Sequence, residues 1–448
     1  MTVETDPLVL IQDLVERALK AGADSADAVA GLSTSISHAQ RLGKTEKLER
    51  QESQDLGLRV LIGKRQAIVS SNDWKPDGLA LLVERAIAMA KTVPEDSFCG
   101  IADPDQIVGD TYPKLEMFDP VEPSAETLIA RATETEDAAL AVAGITNSEG
   151  AEASWGQSRI ALAASNGFAG RYQGSNHSIA VSVLAGTGTA MESDYDYSSA
   201  IFGSDLTDPV EIGRSAADRA LKKLGARKPP SAKVPVVFDP RVSGGLVRHL
   251  TSAINGAAIA RGTSFLKDKM GQAVMSSGIT IVDDPHRARG LASKPFDAEG
   301  LANKRRNLVE NGVLQTWILD LRAARQLGLT STGHASRGTS SPPSPSTTNL
   351  HLEPGTVSPT DLISDIKSGF YITSVMGMGV NMVTGDYSRG ASGFWIENGQ
   401  IAYPVNEVTI AGNLMDMFLA MTPADDLDFK YATNAPTIRI DGMMVAGT

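Results

Sequence analysis

Cysteine is all but missing: Cys99 is the one cysteine among 448 residues, so neither an internal disulfide nor a thiolate metal cluster can form. Histidine is scarce as well, with six residues spread from His38 to His351, and no nitrogen-ligand cluster is visible in their spacing. A basic surplus is lacking. The net charge of −12 argues against a broad phosphate-binding surface, because nucleic-acid affinity rests on neutralising phosphates. The basic pairs Lys222-Lys223 and Arg227-Lys228, and the run Lys304-Arg305-Arg306, read as a solvated helix end and a solvated loop. No apolar run is long enough to span a bilayer. The first thirty residues carry Glu4, Asp6, Asp13 and Glu16 and lack the basic start and apolar core of a secretion signal. The expected compartment is the cytoplasm, with neither membrane nor nucleic acid as a direct partner.

What remains is the composition of an ordinary globular protein, 42% hydrophobic and 21% charged, long enough for two or three domains. Asp6-Pro7 opens an amphipathic helix through Leu8, Ile11, Leu14, Val15, Ala18 and Leu19, closing near Gly22. Alternating segments at Ala28–Ser37, His38–Arg50 and Leu56–Ser70 predict antiparallel strands, with Gly63-Lys64 as a turn. A helix is predicted at Leu79–Lys91. Residues 95–122, rich in Asp, Pro and Gly, predict a long surface excursion, and a further helix runs from Pro123-Ser124 to about Val142. Thr146–Gln173 and Ile179–Leu184 read as strands with Asn166-Gly167 as a hairpin turn. Asp208-Pro209 starts a helix ending at Gly225, and Lys228-Pro229-Pro230-Ser231 follows as the expected domain joint. Beyond it hairpin signals dominate, at Glu310-Asn311-Gly312 and Glu397-Asn398-Gly399. Ser340–Pro345 cannot be helix, and reads as an ordered polar loop or a disordered flap. Asp361–Ile366 predicts a short helix and Thr437–Val445 a last strand. The fold class expected is α+β: a first domain with a mixed or antiparallel sheet, then a β-rich second domain, a distorted barrel or a sandwich, with one central helix.

That helix lies in the stretch from Val234 to Gln272. Val234–Phe238 reads as a buried strand, and Asp239-Pro240 supplies an N-cap and a first-turn proline. Leu246, Leu250, Ala253, Ile254 and Ala257 then recur at helical spacing, with Arg248, Thr251, Ser252 and Asn255 on the other side. Arg261-Gly262-Thr263-Ser264 reads as a polar loop. A metal-hydrolase helix would carry two histidines and a glutamate. This one carries His249 alone, near the apolar stripe, where it reads as a satisfied core residue.

Other constellations are thin. Asp283-Asp284-Pro285-His286 groups two carboxylates and an imidazole, but adjacent side chains on an extended chain point apart, and a strand-ending turn fits better. His351 and Glu353 share a face without a third ligand. Met376–Asn381 resembles the start of a phosphate loop but lacks its third glycine and its helix. Thr384–Gly393 concentrates donors, acceptors and the charged residues Asp386 and Arg389 among glycines, and is either a substrate-binding loop or an ordinary glycine-rich turn. Ser392 lacks the strand-to-helix context of a nucleophile elbow.

Three stretches, 244–268 (GGLVRHLTSAINGAAIARGTSFLKD), 333–349 (GHASRGTSSPPSPSTTN) and 376–405 (MGMGVNMVTGDYSRGASGFWIENGQIAYPV), together resemble the TldD/PmbA family, and specifically its PmbA (TldE) branch. The resemblance implies an N-terminal α/β domain at 1–227 and a β-rich C-terminal domain at 233–448. It also implies metallopeptidase work on unfolded peptides and peptide precursors, in a family also named as a modulator of DNA gyrase. In the TldD branch the helix bears His-Glu-x-x-x-His, completed by a cysteine near the C-terminus. Counting back from the shared Arg261–Ser264 puts Val247, Arg248 and Ser252 at those positions, none of them a fit ligand for zinc. The resemblance therefore implies a chain with no catalytic residues or metal of its own, with zinc in a TldD-type partner. Association is expected as a heterodimer with that partner, or as a homodimer when alone. Arg261, Thr263, Ser264, Asn381, Asp386 and Arg389 are the expected substrate-cleft residues; Arg389 could alternatively pair with Asp386. A second reading is an independent hydrolase built on Asp283, His286 and His351.

Overall fold

The computed structural model of the chain describes residues 6–109 and 111–447. Helix α1 (Pro7–Lys20) begins where the Asp6 carboxylate accepts the Leu8 amide at 3.0 Å, and it buries Ile11, Leu14, Val15 and Ala18. Strands β1 (Ser25–Arg41), β2 (Lys44–Ile62), β3 (Arg65–Ser71), β4 (Ile145–Ala164), β5 (Ala169–Ala185) and β6 (Glu192–Ala200) form one antiparallel sheet in the order β3-β2-β1-β4-β5-β6. α1 and α2 (Pro76–Ala90) pack their apolar sides with β1–β3. α3 (Ala125–Leu140) and α4 (Pro209–Lys222) do the same with β4 and β5. Turns stand at Gly63 and Gly167, both with positive φ, where the sequence predicts them.

The predicted break near Ser37-His38 is absent. β1 runs on to Arg41 and turns at Leu42-Gly43. The apolar alternation stops at His38, but the inward positions stay buried: His38 meets Gln40, and Gln40 donates to the Glu136 carboxylate at 2.9 Å. Glu136 also accepts the amides of Leu42 and Gly43, so one acid from α3 holds the end of the hairpin. Residues 95–122 carry no helix or strand among those described, and Asp110 lies outside them.

The second half is built around a closed five-stranded barrel. β7 (Ala232–Phe238) runs parallel to the strand Ser368–Met376 and antiparallel to Ile438–Ala446. Asp386–Glu397 and Gln400–Asn413 complete the ring, which closes where Thr409–Ala411 pairs with Met444–Ala446. The element is thus a barrel and not a sandwich. With 39% strand and 23% helix overall, the chain has the balance of an α+β protein. α5 (Pro240–Ala253) packs Leu246, Val247, Leu250 and Ala253 into the barrel core. The helical stretch does not continue smoothly to Ala260. It breaks at Ile254-Asn255, where Gly256 donates its amide to the Ile318 carbonyl and Asn255 caps α6 (Gly256–Ala260). Thr251, predicted on the polar side, is buried, because Arg248 and Ser252 alone face solvent there. The short helix predicted at Asp361–Ile366 runs from Pro359 to Ile363, capped by Ser358.

The proline-rich segment is ordered. Ser344-Pro345 pairs with Ala335-Ser336, and the loop between them lies on the first sheet. Arg337 reaches Asp27 of β1, which Arg59 of β2 also holds at 2.9 Å, all three side chains being buried.

Candidate functional site

The exposed side of α5 faces a corner made by two loops. After α6 the chain passes Arg261 and Thr263, both exposed, and Phe265 donates its amide to the Met382 carbonyl at 2.9 Å. That bond joins the Arg261–Phe265 loop to the turn at Asn381–Asp386. The predicted cleft residues therefore come from two adjacent loops and from the start of the strand Asp386–Glu397, which the sequence reads as a loop or turn, and they do different things.

Ser264 is buried. Its hydroxyl donates to the Ala253 carbonyl at 2.6 Å and accepts the Leu266 amide at 3.0 Å, so it fastens the loop to the end of α5 and cannot contact a ligand. Asn381 closes its own turn by accepting from Val383 and Thr384. Asp386 accepts from the Thr384 hydroxyl at 2.6 Å and from Asn413 at 3.4 Å. It does not pair with Arg389, because residues three apart on a strand lie on opposite faces. Thr263 bonds the Ala258 carbonyl at 3.3 Å. Arg261 and Arg389 are left as the polar groups available to a ligand.

Arg389 is half-buried, and its Nε has no hydrogen-bond partner. Tyr387, two residues earlier and on the same strand face, is buried with its hydroxyl beside the Arg389 guanidinium; burial pushes this phenol up to about 12. The His249 ring stands edge-on to Tyr387, with centroids 5.9 Å apart and planes at 76°. Burial first, then the positive charges of Arg389 and Arg248, push the imidazole down to about 4. His249 is therefore not the core residue its spacing predicts. It is half-buried at the helix edge, neutral, and set between two cations. Tyr387 was missed in the sequence, although its i, i+2 spacing to Arg389 on a strand was the signal for it.

The three residues that the resemblance sets against a metal motif do not fit a metal. Val247 is wholly inside the barrel core, Arg248 presents a guanidinium to solvent, and the Ser252 hydroxyl donates to the Arg248 carbonyl at 2.9 Å. Among the described residues no three His, Cys, Asp or Glu side chains gather in ligating geometry. The chemistry this corner offers is anion binding: cationic donors around a neutral imidazole, in a protein whose net charge is −12.

The alternative trio is not brought together. Asp283 is buried, accepting from the Thr348 amide and hydroxyl at 2.6 and 2.9 Å and facing His334 Nε2 at 3.1 Å. His286 Nε2 faces the Asn303 side-chain oxygen at 2.8 Å. His351 lies beside Glu353 and the Phe429 ring. Leu350, not His351, stands opposite Asp283 in the ladder, so the two side chains point to opposite faces.

Comparison with known proteins agrees along the whole chain. Models described as PmbA/TldA metallopeptidase domain 1, central domain and C-terminal domain match residues 26–90, 118–224 and 231–447. The chain is 35% identical over 443 residues to the protein named metalloprotease PmbA of Escherichia coli O157:H7, covering 98% of this chain and 96% of that one. It is 36% identical over 436 residues to a metalloprotease PmbA homolog of Haemophilus influenzae, covering 97% and 94%. Among solved structures, a Bacteroides thetaiotaomicron protein named for a proposed role as a modulator of DNA gyrase superposes with a TM-score of 0.91 at 27% identity, covering 98% of each chain. TldE from Thermococcus kodakarensis shares the fold, with a TM-score of 0.86 at 20% identity over 98% of this chain and 100% of that one.

Proposed function

The chain belongs to the PmbA/TldD metallopeptidase family, in its PmbA (TldE) branch, and from that premise we propose that it is the non-catalytic subunit of a two-chain zinc metallopeptidase. The partner is a TldD-type chain bearing His-Glu-x-x-x-His, and the pair trims or degrades unfolded peptides and peptide precursors in the cytoplasm. One observation carries this reading: at the three motif positions α5 offers a core valine, an outward guanidinium and a hydroxyl spent on its own helix. A cation in a metal's place repels the metal.

What this chain supplies is part of the cleft. An extended peptide can be held through its backbone along a strand edge, and a few side chains then fix its direction. Arg389, a half-buried guanidinium close to a neutral imidazole, is suited to a peptide carboxylate. Arg261 on the neighbouring loop adds a second positive charge.

The test joins metal content to turnover. The purified chain should retain no stoichiometric zinc after dialysis and cleave no peptide alone, while adding a TldD-type subunit gives cleavage. In that assembly Arg389→Ala should lower turnover by about tenfold, the loss of about 1.4 kcal/mol, with partner binding and melting temperature little changed. One tightly held zinc per chain, or cleavage by the chain alone, overturns the reading. Unchanged turnover with lowered stability removes Arg389 from the cleft.

A further inference from the structure

Independently of the peptidase reading, β2 carries a surface of its own. On its outer side β2 meets β3 only from Leu56 to Ile62, and among the described residues no strand covers Lys44–Asp55 on that side. Every residue from Lys44 to Glu52 is exposed, whichever face of the sheet it lies on. Such an edge presents unpaired backbone donors and acceptors and is a template for another strand. Charged side chains ordinarily block that pairing, because like charges end up opposite one another.

On β2 the charges are arranged to the contrary effect. The run Lys44-Thr45-Glu46-Lys47-Leu48-Glu49-Arg50-Gln51-Glu52 inverts its signs about Leu48. Antiparallel pairing with a second copy, centred on Leu48, sets Lys47 opposite Glu49, Glu46 opposite Arg50 and Lys44 opposite Glu52. Two-fold symmetry repeats each pair. The neighbouring registers fail: sliding the partner by one residue sets Glu46 against Glu49 or Lys47 against Arg50. Sliding it by two sets Lys44 against Arg50 or Glu46 against Glu52.

The residue at the centre is apolar and 52% exposed, and in this register Leu48 meets its own copy. Lys47 and Glu49 already stand 2.7 Å apart on one face, so the pairing turns them into an alternating quartet. Arg50, now held by Glu52 at 3.1 Å and by Glu122 at 2.5 Å, gains Glu46 across the axis. Because the strands run antiparallel, the partner's β3 lies beyond the Leu42-Gly43 turn and not over β2.

We propose that the free edge of β2 is an isologous interface for a second copy of this chain, joining two six-stranded sheets into one. Sedimentation velocity on the full chain tests it. The wild-type chain should dimerise below about 100 µM and dissociate as salt rises. Lys47→Glu alone and Glu49→Lys alone should each weaken self-association by about tenfold or more. An equimolar mixture of the two variants should restore it, because every opposed pair is then of opposite sign. The double variant carrying both changes should also dimerise as the wild type does, and unchanged melting temperatures show that the singles fold. A wild-type chain that stays monomeric, as it would if the edge served only a strand of different sequence, overturns the proposal. So does a dimer indifferent to both single changes, or a mixture that does not associate.

Discussion

His249 is a base that its surroundings keep unprotonated. Burial leads, and the Arg389 and Arg248 guanidiniums add to it, lowering the imidazole from 6.5 to about 4. The sign follows: between those values the unfolded chain binds a proton that the folded chain refuses, so stability rises with pH. The contribution is whole above pH 6.5 and is lost as pH falls toward 4. His249→Gln should flatten the decline of melting temperature between pH 6.5 and about 4.5, measured against the wild type by calorimetry. Arg389→Ala should move the His249 titration upward in an NMR experiment, since a like charge has been removed. A titration that stays put would place Arg389 too far away to matter. Glu299 bears the opposite shift: burial, then the neighbouring Asp297, raises its carboxyl. Its share of stability falls as pH rises above the ordinary glutamate range.

At the scale of elements, a close fit joins β2 to the ordered loop that the prolines of 340–345 delimit. A Cβ added at Gly57 would lie 1.9 Å from the Thr339 carbonyl oxygen, and backbone cannot retreat as a flexible side chain can. Gly57→Ala should therefore lift the loop off the sheet, at about 1–3 kcal/mol, the range for overpacking. Denaturant melts would read the loss, and hydrogen exchange at 338–341 would rise with it. Equal exchange in both proteins would mean that the loop is held elsewhere. The polarity of 333–349 pointed toward solvent; the glycine in the facing strand could not announce a contact 282 residues away in Thr339.

For the whole molecule, the two halves are joined through Asp27. Burial pushes this carboxyl up, but the Arg59 and Arg337 guanidiniums together hold it below the usual range. Taking away Asp27 leaves two buried cations facing each other, whereas taking away Arg337 leaves a neutral Asp27–Arg59 pair. Asp27→Asn should thus cost about 3–5 kcal/mol, the range for breaking a buried pair, and Arg337→Ala less. If calorimetry ranks the two the other way, the joint depends on Arg337 packing and not on charge.

The sequence by itself determined the elements whose signals are local. Asp6-Pro7, Ser124, Asp208-Pro209 and Asp239-Pro240 each cap a helix where predicted, because a cap needs only neighbours along the chain. Glycine turns at Gly63, Gly167, Gly312 and Gly399 stand where read, all with positive φ. The motif stretches also carried the family. The site was less legible: Ser264, polar and set in a loop, reads in the sequence as a cleft residue, yet it is a buried fastener. Barrel against sandwich was decided only by the pairing of Thr409–Ala411 with Met444–Ala446, a register that no local pattern encodes. The same holds for His249 beside Tyr387, for Arg337 on Asp27, and for the separation of Asp283 from His351. Each is a relation between residues far apart in sequence, and it is set only once burial has fixed which face of each strand or helix turns inward.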